Sequence, residues 1–148
     1  NKVALADVHA LLFKCVRESG ITPNDDFDNE TNKYQLHQAM FGTPWTTVTG
    51  FTNGASSSTG PSDGNNVRYR KSNGGTTVEI EGWLTPTTSD YQTAFTLPSG
   101  YRPSGNCNMI LIANDGALGT VRFETDGTVD PGLSGSGSIY IRATLTLD

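Results

Sequence analysis

Near the start of the chain the apolar positions recur in steps of three and four. Leu5, Val8, Leu12 and Cys15 form a stripe, with Leu11 and Val16 beside it, and that spacing predicts an amphipathic helix. Gly20 is placed for a left-handed C-terminal cap, and Pro23 stands where the helix cannot continue. A second, shorter helix is predicted from about residue 32 to 41, capped by Thr31 or Asn32, with Leu36, Ala39 and Met40 as its apolar face. Gly42 and Pro44 end it. Residues 1–44 therefore read as a helical hairpin too small to enclose a core. The first stripe also fits the a and d places of two heptads, which suggests self-association through Leu5, Val8, Leu12 and Cys15.

Beyond Pro44 the period changes to two. A strand is predicted from Trp45 to Phe51, followed by a long low-complexity loop, "TNGASSSTGPSDGNN". "VRYRK", the turn "SNGG" and "TTVEIEGWL" predict a β-hairpin with Val78, Ile80, Gly82 and Leu84 on one face. "MILIA" is a continuous apolar run suited to an interior strand. "NDG" and "TDG" are turn signals bracketing a strand that carries Val121 and Phe123. The last strand alternates, with Ile139, Ile141, Ala143, Leu145 and Leu147 on one side and Tyr140, Arg142, Thr144 and Thr146 on the other. About seven or eight short strands with glycine-rich turns predict a mainly β domain over 45–148, an antiparallel β-sandwich or jelly roll behind the 1–44 hairpin.

Composition agrees with many turns: charged residues make up 17% of 148 positions, and there are 17 glycines. The net charge of −5 comes with no basic stripe, which argues against nucleic acid as a partner. Arg68, Arg70 and Lys71, alternating with Val67 and Tyr69, read as a solvated strand face. No apolar run reaches the roughly 18–20 residues of a membrane-spanning helix, so membrane insertion is not expected. No leader is expected either, since Asn1-Lys2-Val3 runs directly into the amphipathic pattern. Cys15 and Cys107 lie far apart without a CxxC partner and read as free thiols.

Catalytic and metal-binding patterns are weak. In the acidic loop of Asp25, Asp26, Asp28 and Glu30, counting from Asp26 puts Thr31 and His37 where a calcium loop needs glycine and bidentate glutamate. That loop reads as solvated charge ahead of a helix N-terminus, with no metal assigned. The two histidines, His9 and His37, fall in the predicted hairpin, away from the β domain, and there is no GxSxG elbow. Glu79 and Glu81 share a strand face with Trp83 and read as an exposed strand face; a sugar-stacking surface is the alternative, ahead of two acids flanking a glycosidic bond. "SSSTGPSDG" lacks the lysine of a phosphate-cradling loop. No cofactor is expected.

Two stretches carry a resemblance. In "SGITPNDDFDNETNKYQLHQAMFG", the residues Gly20, Ile21, Thr22, Pro23, Gln35, Leu36, Gln38 and Ala39 are similar to a helical segment of bacteriophage tail fibres. "FTLPSGYRPSG" and "MILIANDGALGTVRFETDGTV", with the alternating last strand, resemble the distal β domain of phage fibre and receptor-binding proteins. The resemblance implies a homotrimer held by the 1–44 segment, a virion location, and contacts with other virion fibre or baseplate proteins. It further implies a non-enzymatic tip that binds a bacterial surface glycan. Candidate contacts are Trp83, Tyr140 and the 53–66 loop with Asn53, Ser62 and Asp63. The alternatives are a structural head-fibre, decoration or baseplate component, and a carbohydrate-binding module or weak glycosidase using Trp83, Glu79 and Glu81.

Overall fold

The computed structural model describes residues 10–11, 14, 16–17, 42–58, 66–87, 91–133 and 137–147. Within the expected first helix, Ala10, Leu11, Lys14, Val16 and Arg17 are helical, with Val16 buried and Leu11 exposed. Leu5, Val8, Leu12 and Cys15 lie outside the described residues. So do the second predicted helix, the acidic loop, both histidines, Ser62 and Asp63.

The described chain is mainly β and entirely antiparallel in its strand pairing. Its strands are β1 (Thr46–Thr47), β2 (Ser56–Ser58), β3 (Arg68–Ser72), β4 (Thr77–Thr85), β5 (Phe95–Thr96), β6 (Cys107–Ile112), β7 (Leu118–Phe123), β8 (Thr128–Leu133) and β9 (Ile139–Thr146). They form two sheets. The first centres on β4, whose alternation of half-exposed Thr77, Glu79, Glu81, Trp83 and Thr85 with buried Val78, Ile80, Gly82 and Leu84 suits a half-covered strand. One edge of β4 pairs with β9 from Thr77 to Leu84. The other edge is shared: β3 covers Thr77 to Glu81, and β2 covers Trp83 to Thr85. β1 lies outside β3. The second sheet has the order β5-β8-β7-β6.

One apolar cluster draws on both sheets. Val78, Ile80, Leu84, Ile139 and Ile141 come from the first sheet, and Phe95, Val121, Phe123 and Val129 from the second, each no more than 1% exposed. Side chains of this size contribute about 1.5–3 kcal/mol apiece on burial. The inward set of β4 is the Val78, Ile80, Gly82 and Leu84 face expected from the period, and that of β9 is Ile139, Ile141, Ala143 and Leu145.

Three expectations need correction. The run "MILIA" does not form an interior strand. β6 is the terminal strand of its sheet, with Ile110 77% and Ile112 71% exposed while Met109 and Leu111 join the core. Unbroken apolarity cannot distinguish a strand buried on both faces from one with a bare outer face. The strand expected from Trp45 to Phe51 pairs only at Thr46 and Thr47. The rest crosses between sheets: the Val48 amide donates to the Val67 carbonyl in the first, and the Thr52 amide to the Ala94 carbonyl beside the second. Finally, the loop predicted over 52–66 contains β2. Three serines have no strand preference of their own and pair because β4 continues past the end of β3 with free backbone groups.

The changeover on the shared edge falls at Gly82, which has φ +132°. A Cβ there would lie 2.6 Å from the Asn66 carbonyl oxygen and 2.6 Å from the Val67 Cα. Gly50 has open space at the same distance. Gly82→Ala is therefore expected to cost about 3 kcal/mol in urea denaturation, while Gly50→Ala should stay within roughly 0.5 kcal/mol of wild type.

The "TDG" turn between β7 and β8 closes on Asp126, whose carboxylate accepts from the Thr128 amide at 2.9 Å and the Thr128 hydroxyl at 2.8 Å. The Thr128 amide bond, followed by its hydroxyl, lowers the Asp126 pKa from its ordinary value. A depressed folded-state pKa gives stability that is present above the unfolded value of about 3.9 and lost as pH falls through the folded one. NMR titration should place the Asp126 midpoint below the ordinary aspartate range, and Thr128→Val should move it upward.

Candidate functional site: the outer face of the first sheet

Alternation turns Glu79, Glu81 and Trp83 of β4 away from the core. Register then sets their neighbours. Arg68 lies opposite Glu81 and Arg70 opposite Glu79 on the β3 side; Arg142 lies opposite Glu81 and Tyr140 opposite Trp83 on the β9 side. Three rows result on one face: Arg70–Glu79–Thr144, Arg68–Glu81–Arg142, and Trp83–Tyr140.

The first two rows are largely neutralised. Arg68 Nε donates to Glu81 Oε1 at 2.9 Å, and its Nη2 reaches the same oxygen. Arg70 Nε donates to Glu79 Oε2 at 2.6 Å. Both guanidinium planes also sit against one indole, with Cζ atoms 4.6 and 4.5 Å from the Trp45 ring centroid. The basic stretch read from sequence as a solvated face is thus an ordered layer of two ion pairs under a tryptophan. What remains is Arg142, exposed and, among the described residues, without an ion-pair partner. Its cross-strand neighbour Glu81 is already engaged by Arg68.

The third row brings together two residues singled out from sequence. The Trp83 and Tyr140 rings have centroids 5.3 Å apart at 58°, and both are half-buried. The low-complexity loop is anchored here too. Ser58 pairs with Trp83 from β2, and Asn66 bridges to Trp83 from the far end of the loop. Residues 59–65, which include Ser62 and Asp63, therefore leave and rejoin the described chain at Trp83. Ser57 fastens these ends: its hydroxyl accepts from the Val67 amide at 2.8 Å and donates to Asn66 Oδ1 at 3.3 Å. Asn53 stands apart from the aromatic row. It occupies a turn with φ 51°, and its amide donates to the Thr93 carbonyl at 2.9 Å. A notch lined by Asn53, Ala55, Pro86, Thr87, Gln92 and Pro131 encloses about 10 Å³, enough for about one water.

Glu79 and Glu81 sit side by side on one strand, each engaged by arginine. Acids that cleave a glycosidic bond instead face each other across it, at about 5 Å or more. Among the described residues no group of three or more His, Cys, Asp or Glu side chains is placed to hold a metal. Cys107 is a free thiol.

The outer face of the second sheet has a different chemistry. Ile112 pairs with Leu118, and Ile110 with Thr120. Ile110, Ile112 and Leu118 are 77%, 71% and 65% exposed. Beside them Tyr91 lies over Gly132, accepts from the Thr120 hydroxyl at 2.9 Å, and carries the Arg122 guanidinium 4.7 Å from its ring centroid. The sequence signal for this apolar strip was the unbroken "MILIA" run. Tyr91 and Trp45 had no signal, because their partners are distant in sequence. Compared with known proteins, the chain matches no family model and no curated relative.

Each ion pair on the first sheet is partly solvent-exposed, so its strength is modest. A double-mutant cycle on Arg68 and Glu81 should give a coupling of about 0.5–1 kcal/mol in urea denaturation. Trp45→Ala, which removes two stacking contacts at once, should cost about 1–2 kcal/mol. A cost near zero would mean that the indole does not order the arginines.

Proposed function

We propose that this chain is a non-enzymatic adhesion module of a bacteriophage fibre, a homotrimer whose two sheets pack as a β-sandwich head that binds saccharide on a bacterial surface. The observation that carries the binding role is the Trp83–Tyr140 pair on a polar sheet face. Two rings on a rigid sheet offer apolar area for a sugar ring, and arginine, glutamate and threonine side chains beside them serve its hydroxyls. The fibre assignment is supported by the sequence resemblance, and the trimer by the apolar spacing of Leu5, Val8, Leu12 and Cys15 in the sequence and by the exposed strip of Ile110, Ile112 and Leu118.

That strip favours contact between copies over mere exposure. β6 is an edge strand without charge or proline, and edge strands of proteins that stay apart generally carry such guards. An apolar patch of several hundred Å² is usually put to use. The same strip supports the structural alternative, a fibre or baseplate component without receptor role, so binding to cells decides between them.

Light scattering at micromolar concentration should give three times the chain mass. Ile110→Lys combined with Ile112→Lys should reduce it toward one, with the β-type circular dichroism retained. A monomeric wild type would overturn the trimer. The wild-type protein should bind intact susceptible bacteria and Trp83→Ala should lose at least tenfold in affinity. Absence of binding to any strain would leave the structural role.

A further inference from the structure

Resting on the saccharide reading of the Trp83–Tyr140 face, we infer that its ligand is an anionic saccharide, one bearing a carboxylate or phosphate within about one sugar unit of the stacked ring, and that Arg142 recognises that group. Among the described residues, five charged side chains occupy this face, and four are spent on each other. Arg68 holds Glu81 Oε1 and Arg70 holds Glu79 Oε2, so both carboxylates already have their charge balanced and offer no surplus negative charge to a cationic ligand. Arg142 is left over, exposed, two residues from Tyr140 on the same face of β9. The described residues of the face therefore carry one positive charge in excess on a chain whose net charge is −5.

Geometry fits the assignment. Two residues along a strand span about 7 Å, close to the width of a pyranose with its exocyclic group. A sugar ring against Trp83 and Tyr140 thus presents a substituent carboxylate or phosphate to the guanidinium fork. That fork offers paired N–H donors, which recognise planar carboxylates and phosphates bidentately. The neighbouring arginines are held by Glu79, Glu81 and Trp45, so Arg142 is the cation able to turn to a ligand without breaking an existing pair. A lone cation does not suffice for nucleic acid, whose binding needs a row of phosphate contacts.

The test is binding of the full chain to a panel of immobilised bacterial polysaccharides: uronate-containing, phosphate-containing, neutral, and the uronate members after carboxyl reduction. Wild type should bind anionic members, bind them more weakly as salt rises, and lose them on carboxyl reduction. Arg142→Gln should weaken anionic binding between about tenfold and a hundredfold, with Arg142→Lys retaining part of it. Because Arg142 is exposed, both variants should keep the wild-type melting temperature. Uronate and phosphate members separate the two sources of charge. Equal binding of neutral members, or an Arg142→Gln variant that binds like wild type, overturns this inference and leaves the saccharide reading standing. A panel without any binder overturns the saccharide reading itself, and this inference with it.

Discussion

The arrangement of the first sheet depends on the absence of a side chain at position 82. The backbone of Asn66 and Val67 passes so close to Gly82 that a Cβ would overlap both. This close approach lets one edge of β4 change partner, from β3 on one side of Gly82 to β2 on the other. It also returns the chain to Trp83 after the 59–65 excursion. Without the approach β3 would have to begin elsewhere, and the register that sets Arg68 opposite Glu81 and Arg70 opposite Glu79 would shift. A one-residue slip would send those side chains to the core face. The polar face, the aromatic row and the loop ends are thus consequences of one steric fact about the backbone.

The two sheets share an apolar cluster but differ on their outer faces. The first sheet is covered by charge pairs and aromatic rings, which satisfy one another and, among the described residues, leave Arg142 over. The second exposes Ile110, Ile112 and Leu118 with little polar cover. Apolar side chains gain from being removed from water by any complementary surface, whereas the charge-paired face gains only from a ligand that replaces its water contacts in kind. The exposed apolar face of the second sheet is thus of the type that suits lasting association. The charge-paired face of the first sheet is the other, and suits selective, reversible contact.

How far the sequence revealed this depended on whether the determining contact was local. β4 and β9 were legible in detail, down to which residues face inward, because period two reports one-sided burial directly. The turns at "NDG" and "TDG" were legible because their glycines answer a local backbone demand. β6 was misjudged, since an apolar run carries no period from which to read exposure. β2 was missed because its serines are strand by virtue of a vacant edge on β4, which no local pattern records. At the candidate site, the outward positions of Trp83 and Tyr140 were legible from the alternation, and the register makes them neighbours. The role of Trp45 was not legible, since it rests on Arg68 and Arg70 across the β1–β3 pairing. Arg142 looked like any outward arginine until Glu81 proved to be committed elsewhere.

The ordering of that polar layer bears on how tightly a shallow site can bind. Arginine loses much rotamer freedom when fixed, and a ligand that must immobilise flexible side chains bears that entropy cost itself, at about 0.5–1.5 kcal/mol each. Here Glu79, Glu81 and Trp45 have already fixed Arg68 and Arg70 on folding, and Trp83 and Tyr140 brace each other. Only Arg142 is left for the ligand to order. A sheet face of this kind still buries little of a sugar, so one copy is suited to weak binding. In the proposed trimer, three copies on a common axis would raise avidity through effective concentration without deepening the site. Under the proposed function, the apolar strip on one face and the prearranged polar layer on the other are complementary: association would multiply a contact that a flat, rigid surface can make only weakly alone.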